Sequence, residues 1–195
     1  MVVGADGLQS IVRAILLAHT PQLSRNTVLP VRLLGVSVIY PASFALKMRA
    51  LDPFFFQGGD PESDAFLWFS FLDTPSNNTR KGNSDTYECQ ILVSWPYREG
   101  FRGMEKPLEI PPTHKERITL MKNLAAGWIE PFRGCVMEIP DDKEAKTITL
   151  EDFVPKEGMW DNQEGRVTMV GDAAHAMTMC ESSSLFREYA FALIA

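Results

Sequence analysis

The sequence predicts an α/β (α+β) fold: a strand-turn-helix piece near each end, with a mostly antiparallel sheet between them. Two observations carry this prediction. Val2-Val3 and Val167 to Val170 are short apolar runs, each leading into a glycine-bearing turn. Between them the helical period gives way to β-branched and aromatic runs bounded by turn formers. The chain divides accordingly into segments 1–27, 28–164 and 165–195.

Near the N-terminus, Gly4-Ala5-Asp6-Gly7 forms a turn, and Leu8, Ile11, Val12, Ile15 and Leu16 follow helical spacing. In the middle segment, Val31 to Tyr40 and Tyr87 to Trp95 read as strands. Phe66 to Leu72 is apolar almost throughout, so a strand buried on both faces is expected there. QGGDPESD and DTPSNNTRKGNSD read as turn-rich connections. Thr113 to Glu116 is a capping box, with Thr at the N-cap and Glu three residues on. It opens a helix with Ile118, Met121, Leu124, Ala125 and Trp128 along one face, and Pro131 prevents its continuation. A strand near Thr147 to Leu150 precedes the second glycine turn.

Composition narrows the function classes. The chain has 195 residues, 45% hydrophobic, with a formal net charge of -6, which suits a soluble globular protein. An acidic balance argues against nucleic acid or an anionic membrane surface as the main partner. Cys89, Cys135 and Cys180 are odd in number and far apart, which fits a reducing, cytoplasmic setting rather than a disulfide framework or zinc site. Asp6 and Arg13 break the N-terminal apolar stretch, so neither a signal peptide nor a membrane span is expected. Asn77-Asn78-Thr79 reads as a polar turn.

Two turns carry chemistry. Gly171 permits a tight turn, and Ala173 and Ala174 let a ligand approach the backbone. The Asp172 carboxylate would repel phosphate but can accept hydrogen bonds from sugar or ribityl hydroxyls. It can equally cap a following helix. Asp6-Gly7 presents the same choice, with Ser10 in the first helical turn and Arg13 about two turns from Asp6. A capped helix with Arg13 solvated or paired to a surface acid is the plainer alternative. His19, His114 and His175 show no partner pattern, no metal-ligand spacing exists, and no catalytic residue is assigned.

Taken together, VVGADGLQSIVR (2–13) and GRVTMVGDAAHAM (165–177) resemble two fingerprints of the flavin-dependent aromatic hydroxylase family, related to 4-hydroxybenzoate and salicylate hydroxylases. The resemblance implies a partial Rossmann-like FAD-binding domain with a substrate-binding sheet inserted between its pieces. It implies FAD as cofactor and NAD(P)H as co-substrate. Asp6, Gly7, Ser10 and Arg13 match the motif that serves both FAD and NAD(P)H. Gly171, Asp172, Ala173, Ala174 and His175 match the motif whose Asp meets the ribityl chain. The implied activity is hydroxylation of an aromatic or related small organic molecule with O2, in aromatic degradation or a secondary-metabolite pathway.

Two departures qualify the resemblance. The family's GxGxxG unit is absent, and CESSSLFREYAFALIA replaces the glycine-bearing turn beyond the second motif. A chain truncated at both ends is therefore expected, with an incomplete sheet that an oligomer or partner would cover. The alternative function is a catalytically inactive remnant that binds a small molecule or a partner through the sheet.

Overall fold

The computed structural model describes residues 1–77 and 85–176. They form two compact units: residues 30–149, and residues 1–29 together with 150–176.

The 30–149 unit is built on a sheet of strand order β4-β5-β6-β3-β7. Its members are β3 (Val31–Pro41), β4 (Phe55–Asp60), β5 (Ala65–Asp73), β6 (Thr86–Pro96) and β7 (Lys146–Ile148). All neighbours are antiparallel, and β3 pairs with β6 without interruption from Val31↔Pro96 to Pro41↔Thr86. Period-2 alternation sends Leu34, Val36, Val38 and Tyr40 of β3 to one face. That face meets α2 (Ala42–Arg49), α3 (His114–Ala125) and α4 (Phe132–Met137). The Thr113 capping box forms as expected: its side chain accepts from the Glu116 backbone, and Glu116 accepts from the Thr113 backbone. Ile118, Met121, Leu124 and Ala125 point from α3 into the core. Tyr40 donates its hydroxyl to the Cys135 carbonyl at 2.6 Å, and burial raises its pKa above the usual phenol value.

Three expectations are corrected here. β5 is not buried on both faces: Leu67 and Phe69 are buried, while Phe66, Trp68 and Ser70 are only partly covered and Leu72 is exposed. Gln57 to Asp60 belong to β4, where the glycines pair with Leu67 and Phe66 of β5 rather than turning the chain. α2 and α4 were not anticipated, because both are short and neither has a side-chain cap.

The second unit contains β1 (Val2–Gly4), α1 (Ile11–Leu16), β2 (Thr27–Val28), β8 (Glu151–Asp152) and β9 (Val167–Met169). β1 and β9 are parallel, with Val2↔Val167 through Gly4↔Met169, which brings the two glycine turns side by side. β2 and β8 are antiparallel, so the stretch after residue 150 joins this unit. Gly4 is where α1 crosses the strands: a Cβ there would lie 2.8 Å from Val12 Cβ and 3.2 Å from Met169 Cγ. The packing of α1 follows its apolar pattern only in part, with Leu8, Val12 and Leu16 partly buried. Ile11 and Ile15 are 70% and 68% exposed, whereas Arg13 is 2% exposed.

No helix among the described residues is long and apolar enough to cross a membrane. The terminal helix suggested by Leu185, Phe186, Tyr189, Leu193 and Ile194 lies outside the described residues, as do Cys180 and positions 78 and 79 of the sequon.

Candidate functional site

The parallel β1-β9 pair delivers both glycine turns from adjacent strand ends, and each turn places an aspartate differently. Asp6 faces the start of α1. Its Oδ2 accepts from the backbone N–H of Ile11 at 2.7 Å and of Val12 at 3.1 Å, and its Oδ1 accepts from Ser10 Oγ at 2.6 Å. Ser10 is itself the N-cap, accepting from the Arg13 backbone N–H at 3.0 Å. The Ser10 hydrogen bond leads the causes that hold the Asp6 carboxyl below its ordinary pKa. Gly7, at φ +76°, supplies the left-handed residue between Asp6 and the cap.

Arg13 joins several segments of this unit. A guanidinium has five N–H donors, and here each finds an acceptor. Nε donates to the Ser24 carbonyl at 3.1 Å, and Nη1 to the Asp172 and Ala173 carbonyls at 3.3 and 3.1 Å. Nη2 donates to the Leu8 carbonyl and to Asn26 Oδ1. Its Cζ also lies 4.0 Å from the centroid of the Phe153 ring. Burial lowers the Arg13 pKa and the Asp6 charge raises it, and the group stays protonated. The plainer sequence reading, Arg13 solvated or paired with a surface acid, is therefore overturned: the side chain is buried against backbone carbonyls. It ties the Asp6 turn to the Gly171 turn.

Asn26 and Glu151 complete this tie. Asn26 Nδ2 donates to Glu151 Oε2 at 2.8 Å and to the Leu8 carbonyl at 3.2 Å, and Gln9 Nε2 reaches the same Glu151 oxygen at 3.2 Å. A small polar cleft of about 380 Å³ opens beside Gln9, Ser10, Arg13, Asn26 and Glu151. Asn26 and Glu151 were not singled out from sequence, since no local pattern marks two residues 125 positions apart as partners.

The Gly171 turn has the opposite character. Gly171 to Ala173 form one 3-10 turn after Val170, and Gly171 adopts φ +59°. A Cβ on Gly171 would meet nothing within 4 Å, so the backbone is open to close approach. Asp172 is exposed, and its side chain does not cap the turn. Helix-capping by this carboxylate is thus not realised within the described residues. Ala173 is buried behind it, and the His175 backbone N–H closes on the Gly171 carbonyl at 2.9 Å.

In the sheet unit, the face of the sheet away from the helices carries a different surface. Phe55 stacks on Trp68 with centroids 4.7 Å apart and planes 9° from parallel. Ser70 and Gln90 sit beside this stack on the neighbouring strands, 3.5 Å apart. The pairing offers a flat aromatic wall with a polar edge.

Comparisons with known proteins agree with the resemblance to FAD-dependent monooxygenases. No protein-family model matches the chain. It is 53% identical over 184 residues to a protein of Arthroderma benhamiae assigned as an FAD-dependent monooxygenase, covering 92% of this chain and 42% of that protein. It is 38% identical to the FAD-dependent monooxygenase dbaB of Emericella nidulans, over 91% of this chain and 43% of the relative. Among solved structures, 2,6-dihydroxypyridine-3-hydroxylase from Arthrobacter nicotinovorans superposes with a TM-score of 0.52 at 20% identity. That match covers 89% of this chain and 42% of the other, and it shows a shared fold. The chain is a homologue of FAD-dependent monooxygenases and spans somewhat under half the length of the curated relatives it matches.

Proposed function

We propose that this chain supplies the ribityl-side FAD contacts and the substrate sheet of an FAD-dependent monooxygenase, one that hydroxylates an aromatic or related small organic molecule with NAD(P)H and O2. The observation that carries the reading is the exposed Asp172 carboxylate on an open glycine turn whose position is fixed from behind by Arg13. A carboxylate there suits the hydroxyl groups of the ribityl chain, because it can only accept hydrogen bonds and has no donor to displace among the described residues. Gly171 leaves the space a ligand backbone contact needs.

FAD, when bound, would supply the redox chemistry, and the protein would position and shield it. Asp172, Gly171 and Ala173 would hold the cofactor on one side. Asp6 and Gly7 would shape the approach of the pyrophosphate and of NAD(P)H through the turn they form. Arg13 would act as a positioning residue, since all five of its donors are already committed within the protein. The Phe55-Trp68 stack, with Ser70 and Gln90, would face a planar substrate and exclude water from one side of it. The fungal relatives motivate a secondary-metabolite setting, and buried free thiols at Cys89 and Cys135 motivate a cytoplasmic one. The exposed Ile11, Ile15, Val2 and Val3 are the surface that an oligomer or partner would cover.

The test is direct. Purified protein should carry or take up FAD and show flavin absorbance, with uptake reduced by Asp172→Ala while the far-ultraviolet circular dichroism is unchanged. Colourless protein that takes up no added FAD overturns the proposal for this chain.

A further inference from the structure

Asn26 stands between two charged groups, each of which can satisfy only one half of its amide. The Arg13 guanidinium donates and cannot accept, and the Glu151 carboxylate accepts and cannot donate. The Asn26 oxygen accepts from Arg13 Nη2 at 2.6 Å, while Nδ2 donates to Glu151 Oε2 at 2.8 Å and to the Leu8 carbonyl at 3.2 Å. Turning the amide over would set its NH2 against the guanidinium and its oxygen against a carboxylate and a carbonyl. One orientation is therefore selected.

These bonds close the end of a ribbon. Asn26 immediately precedes β2 and Glu151 opens β8, and the two strands pair antiparallel. Beyond them the Leu29 backbone N–H donates to the Leu150 carbonyl at 2.9 Å. The chain leaves this unit after Leu29 and re-enters it at Leu150. From the same guanidinium that Asn26 holds, Nη1 donates to the Asp172 and Ala173 carbonyls at 3.3 and 3.1 Å. Asn26 thereby links the ribbon to the Gly171 turn through one side chain.

We propose that Asn26 is a positioning residue: by holding Arg13 Nη2, it fixes where Nη1 meets the Gly171 turn and so where that turn presents Asp172. The effect on the turn needs no cofactor, and the effect on flavin rests on the proposal that Asp172 meets the ribityl chain. Residue type decides the role. Leucine would give Arg13 no acceptor. Aspartate matches the shape but sets a second carboxylate at the 2.8 Å spacing from Glu151, where like charges repel. Changing Glu151 to glutamine as well restores a donor between the two positions.

The experiment follows amide hydrogen exchange in the flavin-free full chain. The Ala174 and His175 N–H groups, each 2.9 Å from the Gly171 carbonyl, report the turn, and the Val170 N–H, 2.9 Å from the Gly4 carbonyl, reports the neighbouring strand pair. Asn26→Asp and Asn26→Leu should speed exchange at Ala174 and His175 by roughly fivefold or more relative to Val170. Glu151→Gln alone should stay near the wild-type rate, and Asn26→Asp combined with Glu151→Gln should recover most of the loss. FAD affinity should fall and recover in the same order. Unchanged exchange at Ala174 and His175 in both Asn26 variants overturns the inference, as does equal acceleration at Val170 or a double variant that recovers nothing. Selective acceleration in a chain whose wild type takes up no FAD supports the role of Asn26 and overturns instead the reading of Asp172.

Discussion

The two units hold themselves together by different means. The sheet unit has a continuous apolar core, with Phe69, Trp95, Leu34 and Ile118 each at 1% exposure or less. The terminal unit has a small core around Leu17, Phe153 and Ala176, and the polar network of Arg13 takes over the joining role. Apolar burial is non-directional and tolerates reshaping, whereas five hydrogen bonds from one guanidinium fix five acceptors in place. The contrast matches the proposed work: a substrate layer can vary its packing, but a turn that presents Asp172 to a ribityl chain has to be held to a defined position.

Breaking the tie should give the largest effect. Arg13→Met takes this donor from the carbonyls of Ser24, Asp172 and Ala173, and with an unpaired acceptor costing roughly 1–3 kcal/mol the combined loss should be roughly 3–5 kcal/mol. Hydrogen exchange should then show lost protection in residues 1–29 and 150–176, while β3 and β6 keep theirs. Uniform loss across both units would erase the proposed distinction between them. Phe69→Ala tests the other side. It removes a fully buried ring and should destabilise the sheet unit by about 4 kcal/mol, read by denaturant unfolding, with the β1-β9 region less affected.

Gly4→Ala sharpens the comparison inside the terminal unit. The added Cβ would sit 2.8 Å from Val12 Cβ and 2.9 Å from its Cγ1, so α1 must shift, at about 1–3 kcal/mol. The same change at Gly59 meets nothing within 4 Å and should show no such clash penalty. Asp6 gives a smaller, pH-dependent effect. Its pKa is lowered in the folded state, so its contribution is present above the unfolded carboxylate value, roughly 4, and is lost as pH falls through the folded value. Asp6→Asn should flatten the dependence of stability on pH in that acid window, and an unchanged slope would contradict the hydrogen-bond pattern at the start of α1.

These tests also mark where the sequence was informative. The Thr113 capping box was legible because its donors and acceptors lie within one turn. β3 and β6 were legible because alternation writes the buried face into every second residue. α1 misled in burial because an apolar stripe ordinarily faces a core, and here the partners of Arg13 override it. Those partners include carbonyls 159 and 160 residues away, beyond any local pattern. β4 was hidden by Gly58 and Gly59, which read as a turn but sit in a strand with Phe132 stacked 3.5 Å from the would-be Gly58 Cβ. The motif residues themselves, Asp6, Gly7, Gly171 and Asp172, were visible from spacing and resemblance. The division of labour between a committed Arg13 and an exposed Asp172 was not.

The most direct measurement is an FAD titration of the purified chain and of Asp172→Ala, followed by quenching of flavin fluorescence. Stability should differ by no more than about 0.5 kcal/mol between the two, since the exposed carboxylate caps no turn among the described residues. The expected result is saturable quenching by the chain and affinity weaker by about tenfold or more in the variant, the loss of hydrogen bonds to a charged acceptor. Equal affinity in the two proteins, or no quenching by either, would contradict the role given to Asp172.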